Sequence, residues 1–93
     1  MEFEWDLKKA LSNLARHNLS FQEAMTVFGD PLSITVPDPD HSIEEYRFVV
    51  VGQSRRGRLL IVSYTERGDR IRIISARVLT RKERKAYEKQ DFF

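Results

Sequence analysis

Arginine is the residue type in this sequence best suited to chemistry on phosphates. A guanidinium group grips phosphate oxygens through two parallel hydrogen bonds and stays charged, so it can bind a phosphodiester and stabilise the charge that builds up during its cleavage. Taken singly, each arginine is more simply explained as a solvated or ion-paired surface residue. Seven of the eleven arginines fall within residues 55–77: Arg55, Arg56, Arg58, Arg67, Arg70, Arg72 and Arg77.

Two other residues are candidates for proton transfer. His17 is the better of the two histidines, because an unperturbed imidazole has a pKa near ~6.5. It falls at the predicted C-terminus of a helix, where a cation is favoured, and this position favours a structural role over a catalytic one. Glu66 is adjacent to Arg67 in the sequence. An exposed ion pair would account for Glu66 as well as catalysis would.

The sequence predicts no metal site and no cofactor. Asp38, Asp40, His41, Glu44 and Glu45 offer oxygen and imidazole ligands, but their spacing matches no defined metal-binding loop and is typical of an ordinary turn. A phosphate-binding glycine loop, a Gly-x-Ser-x-Gly elbow and a His-Glu-x-x-His pair are all absent from the sequence.

Charge is distributed unevenly along the chain. Residues 1–45 contain nine acidic and three basic residues, whereas residues 46–93 contain five acidic and thirteen basic ones. This asymmetry indicates an anionic partner for the second half, either nucleic acid or an acidic protein. The alternative is that the two halves fold together and neutralise each other's charge.

Length and composition predict a single soluble domain spanning residues 1–93. The chain has no cysteine, which is compatible with a reducing cytoplasm. The sequence contains no apolar run near the roughly 18 residues that cross a bilayer, and its acidic start does not resemble a signal peptide. We therefore expect a cytoplasmic protein with no membrane association.

Two β-prone runs on either side of Gly68-Asp69 predict an antiparallel hairpin over residues 59–77, because glycine accepts the positive φ of a tight turn. Alternation along the second run places Ile71, Ile73, Ser75 and Arg77 on one face. Arg77 would thus lie at the end of a buried apolar stripe.

The remaining patterns predict an α+β fold. It has two N-terminal helices, a meander of about four antiparallel strands and one C-terminal helix, after a short extended segment that buries Phe3 and Trp5. Asp6 and Asn18 are the predicted caps of the first helix, and Ser-x-x-Glu and Thr-x-x-Glu sequences predict capping boxes for the other two. The first helix has an apolar stripe that should be covered by the sheet, formed by Leu7, Ala10, Leu11 and Leu14.

Motifs along nearly the whole chain, in the same order, resemble the BrnT family of bacterial toxins. No single motif is specific, but their joint occurrence is. The family usually has Lys-His-Gly where this chain has Arg16-His17-Asn18. The motifs are Phe3-Glu4-Trp5-Asp6, Lys9-Ala10 with Asn13, Arg16-His17, Phe21-Gln22-Glu23-Ala24, Val27-Phe28-Gly29-Asp30-Pro31, Glu45-Tyr46-Arg47, Tyr64-Thr65-Glu66-Arg67-Gly68, Arg72-Ile73-Ile74-Ser75-Ala76-Arg77 and Glu83-Arg84 with Tyr87.

The resemblance implies a RelE-like fold and a metal-independent ribonuclease that arrests growth by cutting RNA. It also implies a BrnA-type antitoxin, which would cover the toxin and bind DNA, so that the toxin meets DNA only through the antitoxin. The catalytic residues that the resemblance indicates are His17, Glu66, Arg67 and Arg77. Further RNA-binding candidates, from the resemblance and from the basic turn and C-terminal helix, are Arg72, Arg81, Arg84, Tyr87, Arg55 and Arg56.

Two other interpretations remain open. The protein could be a non-catalytic module that uses its basic hairpin and C-terminal helix to hold RNA or an acidic partner, in which case binding would weaken with salt without any cleavage. It could also be a degenerate toxin that acts only in antitoxin-mediated repression. Because the C-terminal helix is basic and poor in apolar residues, residues 81–93 are the predicted contact surface for the antitoxin.

Overall fold

A five-stranded sheet forms the centre of the molecule, with two helices against one face and a short helix at the other. The computed structural model describes residues 1–38 and 45–90. One turn of 3-10 helix, Thr26–Gly29, extends the second helix. The elements are β1 (Glu2–Trp5), α1 (Leu7–His17), α2 (Phe21–Met25), β2 (Ile34–Pro37), β3 (Arg47–Gln53), β4 (Leu59–Arg67), β5 (Arg70–Val78) and α3 (Arg81–Glu88).

The sheet order is β1-β5-β4-β3-β2, and β2 to β5 form the expected antiparallel meander. The predicted number of strands was too small. The N-terminal segment pairs in parallel with β5, from Glu2 opposite Arg70 to Trp5 opposite Ile73, and becomes a fifth strand. β1 has only four residues, two of them half-buried aromatics, and it pairs with a strand more than sixty residues away. The local sequence therefore gives little sign that this segment joins the sheet.

The predicted hairpin is confirmed. β4 and β5 pair from Arg67 opposite Arg70 to Leu60 opposite Val78, and Gly68 has the positive φ of 63° that the two-residue turn requires. Gly52, in β3, is needed for a different reason. A Cβ at this position would lie 2.8 Å from the Ser33 Cβ and 3.1 Å from Val27 Cγ1, so only glycine fits there without displacing its neighbours.

The helix caps follow the sequence closely. The Asp6 carboxylate accepts a hydrogen bond from the Lys9 amide at 3.1 Å, and Asn18 ends α1 in the left-handed conformation with φ 52°. The capping box at Thr80 and Glu83 is complete. At Ser20 only half of the predicted box forms, because the side chain of the residue at its third position, Glu23, bonds elsewhere.

The core lies between the sheet and the helices α1 and α2. Trp5 packs edge-on against Phe21 with 5.9 Å between ring centroids, and Phe28 packs edge-on against Phe3 and Tyr64 at 5.1 and 5.0 Å. Burial raises the pKa of the Tyr64 hydroxyl. The buried cluster consists of Leu19, Phe21, Ala24, Val27, Val50, Leu60, Val62, Tyr64, Ile71, Ile73 and Ala76.

The predicted burial of the α1 stripe is wrong for its three leucines. Leu7, Leu11 and Leu14 are exposed, and the helix packs through Ala10, the fourth residue of the stripe, and through Asn13. β1 ends at Trp5, opposite Ile73, and α1 then follows β5 as far as Ala76. There the buried Asn13 side chain accepts a hydrogen bond from the Ala76 amide and donates one to the Leu19 carbonyl, both at 3.0 Å.

Candidate nucleic-acid interface

The sheet face opposite the core carries most of the arginines of the strands. Residues directly opposite each other in an antiparallel pair share a face. The pairs Arg47–Thr65 and Thr65–Arg72 therefore form one row across β3, β4 and β5, and Arg67–Arg70 forms a second row at the hairpin tip. We call this surface the arginine face, and its polar residues are Arg47, Ser63, Thr65, Arg67, Arg70, Arg72, Ser75 and Arg77.

A β-bulge brings Arg77 to this face. Ser63 pairs with Ser75 but Tyr64 pairs with Ile73, so Ile74 is an extra residue on β5. After an extra residue, every following side chain of the strand lies on the face opposite to the one that simple alternation predicts. The prediction that Ser75 and Arg77 share a face with Ile71 and Ile73 is therefore wrong: Ala76 joins the two isoleucines in the core, and Ser75 and Arg77 lie on the arginine face.

Arg77 is held in place by α3. Its guanidinium donates to both carboxylate oxygens of Glu83, at 2.7 and 2.9 Å, and makes a longer contact of 3.4 Å with the Val78 carbonyl. Arg77 and the Thr80 amide lower the pKa of Glu83 to about 2. Glu83 therefore stays ionised at neutral pH and fixes the direction of the arginine fork.

Other arginines are also paired with carboxylates from the acidic first half of the chain. Arg72 donates to Glu4 on β1 at 2.8 Å, and this contact lowers the pKa of Glu4. Arg67 lies 3.5 Å from Glu45. Arg70 lies 3.4 Å from Glu2 and 3.5 Å from Glu4. Charge neutralisation between the two halves, one of the two alternatives that the sequence left open, is thus part of the fold.

The basic turn before β4 lies apart from the arginine face. Arg58 makes a two-pronged ion pair with Glu23 of α2, whose side chain is only 5% exposed, and Arg56 approaches Glu23 to 3.9 Å. Ser54 donates to the same carboxylate at 2.7 Å. Arg55 lies beside an open groove of about 770 Å³ on the helical side, lined partly by Met1, Phe3, Met25 and Phe28.

Helix α3 borders the arginine face and adds unpaired positive charge. Arg81 and Arg84 are exposed, and neither makes a side-chain hydrogen bond or ion pair with the residues that the structure describes. The Tyr87 hydroxyl donates to the Leu32 carbonyl at 3.0 Å, so this side chain attaches α3 to the segment before β2.

The four predicted catalytic residues fall into two groups. Glu66 and Arg67 lie at the hairpin tip, with Glu66 opposite Ile71. Arg77 follows Ile71 by six residues on β5, so it lies about 20 Å along the strand from the hairpin tip, at ~3.3 Å per residue. His17 ends α1, one helical turn after Asn13, and Asn13 bonds to the residue that precedes Arg77. The helix that ends at His17 is thus attached to β5 next to Arg77, whereas Glu66 lies at the hairpin tip.

Sequence reasoning missed the carboxylate partners of these arginines. Glu83 was predicted only as a capping residue, and Glu4 only as the polar side of an extended segment. The capping box after β5 could have identified Glu83, because it places a carboxylate at the helix start directly after Arg77. The pairs Arg72–Glu4 and Arg58–Glu23 join residues 68 and 35 positions apart and leave no local signal.

Within residues 1–38 and 45–90 the structure shows no group of three or more acidic or histidine side chains that could hold a metal ion. The possible metal ligands Asp40, His41 and Glu44 lie outside the described residues. No helix in the described part of the chain is both long and apolar enough to cross a membrane.

The fold and the arginine face define a small α+β domain whose sheet carries arginines from three strands on the face opposite its core. Residues 5–83 match the family model for BrnT, the ribonuclease toxin of type II toxin-antitoxin systems, and the chain belongs to this family. The structure of the ribonuclease toxin BrnT from Brucella abortus is similar, with a TM-score of 0.69 and 20% sequence identity, over 87% of this chain and 99% of that one. Comparison with curated protein sequences found no significant match.

Proposed function

We propose that this toxin is a metal-independent endoribonuclease that binds and cleaves RNA on the arginine face. The observation that carries the proposal is the bulge at Ile74, which places Arg77 on the same sheet face as Arg47, Arg67 and Arg72. Two serine hydroxyls, on Ser63 and Ser75, lie between the two ends of this face. A surface of this kind suits the phosphates and 2′-hydroxyl groups of RNA.

Arg77 is the proposed cation for the reacting phosphate. A guanidinium has five N–H donors, and Glu83 does not use all of them, so Arg77 can bind a phosphate while its fork stays fixed. Positive charge fixed in advance stabilises the charge of a phosphorane-like transition state. Arg67, about 20 Å away, would hold a different phosphate of the same RNA strand.

His17 is the proposed proton carrier at this end of the face. RNA cleavage without metal needs a base for the ribose 2′-hydroxyl and an acid for the 5′ oxygen. Glu83 is a poor base because its pKa is about 2. His17 is exposed beside the same half of β5 as Arg77. Glu66 is the alternative carrier at the hairpin tip, but it pairs with Ile71 and so lies on the face of the sheet opposite Arg67.

The remaining RNA-binding candidates extend this surface. Arg81 and Arg84 on α3 can bind phosphates beyond Arg77. Arg72 would bind a phosphate at the centre of the arginine face. Arg55 and Arg56 lie at the turn before β4, so they would contact only a longer RNA. Membership of a type II family implies an antitoxin partner, and we propose a BrnA-type antitoxin through which alone the toxin contacts DNA.

The test is cleavage of labelled single-stranded RNA by the purified, antitoxin-free protein in EDTA. We expect cleavage that is unchanged by chelator and that requires the 2′-hydroxyl, so a 2′-O-methyl RNA of the same sequence should remain intact. Cleavage that stops in EDTA and returns with a divalent cation would contradict metal independence.

One observation favours a second candidate, a basic module that binds without cutting. The ion pairs of Arg72 and Arg77 reduce the positive charge that a phosphate would meet. This candidate predicts salt-sensitive RNA binding with no cleavage, whether or not translating ribosomes are added. Cleavage only with ribosomes would instead identify a ribosome-dependent ribonuclease.

A further inference from the structure

Helix α1 exposes a stripe of leucines that the fold does not use. Leu7, Leu11 and Leu14 follow the spacing i, i+4 and i+7, so they lie on one side of the helix. Their exposed fractions are 69%, 58% and 46%. We call these three residues the leucine stripe.

The helix is held by other residues. Asp6 and Asn18 cap its ends, Ala10 packs against the core, and Asn13 bonds to both β5 and the Leu19 carbonyl. The leucine stripe therefore contributes little to the stability of the isolated domain. Clustered exposed apolar side chains of this kind mark sites where a soluble protein binds a partner.

The charges on α1 indicate the chemistry of that partner. Residues 7–17 contain Lys8, Lys9 and Arg16 and no aspartate or glutamate. A second copy of the chain packed α1 against α1 would bring these like charges together, and the leucines offer nothing to a polyanionic RNA. An acidic chain with apolar residues on one side matches both the leucines and the net positive charge of the helix, of which Lys8 lies beside the stripe.

We propose that the leucine stripe of α1 docks an acidic amphipathic helix of the cognate antitoxin. The inference rests on the antitoxin partner that family membership implies, and it does not depend on RNA cleavage. By comparison, α3 has only Ala86 and Tyr87 as apolar residues, and both are half-buried. The apolar area available to an antitoxin is therefore larger on α1 than on α3.

The experiment measures the affinity of the full-length protein for the purified full-length antitoxin by calorimetry. The variant Leu11→Gln with Leu14→Gln removes most of the stripe, and glutamine keeps nearly the same helix propensity as leucine. We expect at least a tenfold loss of affinity. The matched control is Leu32→Gln, which replaces a leucine that is 77% exposed outside the helix and should change affinity less than twofold. Lys8→Glu should weaken binding at low salt, by reversing the positive charge beside the leucine stripe.

Three results would overturn the proposal. The first is unchanged affinity in the double leucine variant. The second is loss of binding only when residues 81–93 are deleted, which would place the docking surface on α3. The third is a wild-type dimer in sedimentation that Leu11→Gln dissociates, which would make a second copy the occupant. RNA cleavage by the double leucine variant should equal that of wild type, so a failure of the ribonuclease proposal is detected separately.

Discussion

Replacing Arg77 with alanine is expected to lower the rate of RNA cleavage on the order of 100-fold or more, the usual cost of removing a group that stabilises transition-state charge. Among the described arginines, Arg77 alone combines three properties. It lies on the arginine face, a carboxylate fixes both arms of its fork, and it is next to the residue that anchors α1. The measurement is single-turnover cleavage in EDTA.

Two variants separate catalysis from folding in this assay. Arg77→Lys keeps the charge but loses the fork, so we expect most of the activity to be lost while circular dichroism and the melting temperature stay close to those of wild type. Arg16→Ala removes an exposed arginine of α1 and should change the rate less than twofold. Full activity in Arg77→Ala would show that the phosphate is held elsewhere.

Replacing Arg58 with alanine is expected to lower the free energy of unfolding by about 3 kcal/mol, because it leaves a buried carboxylate without its counter-ion. The side chain of Glu23 is 5% exposed, and its pKa is lowered chiefly by Arg58 and further by the hydroxyl of Ser54. The pair also joins α2 to the turn before β4, so its loss affects two elements. Urea denaturation followed by circular dichroism measures the change.

Neighbouring residues provide the controls for this prediction. Arg55→Ala removes an exposed arginine three positions away and should change stability by less than about 0.5 kcal/mol. Adding Glu23→Gln to the Arg58→Ala protein removes the unpaired charge and should recover part of the loss. An Arg58→Ala protein as stable as wild type would mean that water replaces the arginine at no cost.

The parts of the fold that sequence predicts well are those governed by local chemistry. The hairpin follows from two β-prone runs around Gly68, and the caps follow from side chains that bond to backbone within three residues. The strand β1 and the ion pair between Arg72 and Glu4 were missed because both depend on contacts between distant parts of the chain. The RelE-like assignment remains a prediction of the resemblance.

In the candidate site, the types of residue are easier to predict from sequence than the face of the sheet on which each of them lies. Alternation along β5 is correct up to Ile73, and a single extra residue, Ile74, then inverts it. The doublet Ile73-Ile74 is the local sign of the bulge, because the polar positions change there from Arg70 and Arg72 to Ser75 and Arg77. The same limit applies to α1: its leucines have the spacing of a buried stripe, but the helix packs through Ala10 and Asn13 and leaves them exposed.

The most direct test of RNA binding on the arginine face is a map of backbone amide chemical shifts on adding a 2′-O-methyl RNA, which can bind but cannot be cut. We predict that the largest changes occur at Ser63, Arg72, Ser75 and Arg77 and at the start of α3, and that they weaken with salt. Changes confined to the leucine stripe of α1, or to the groove beside Arg55, would contradict the account.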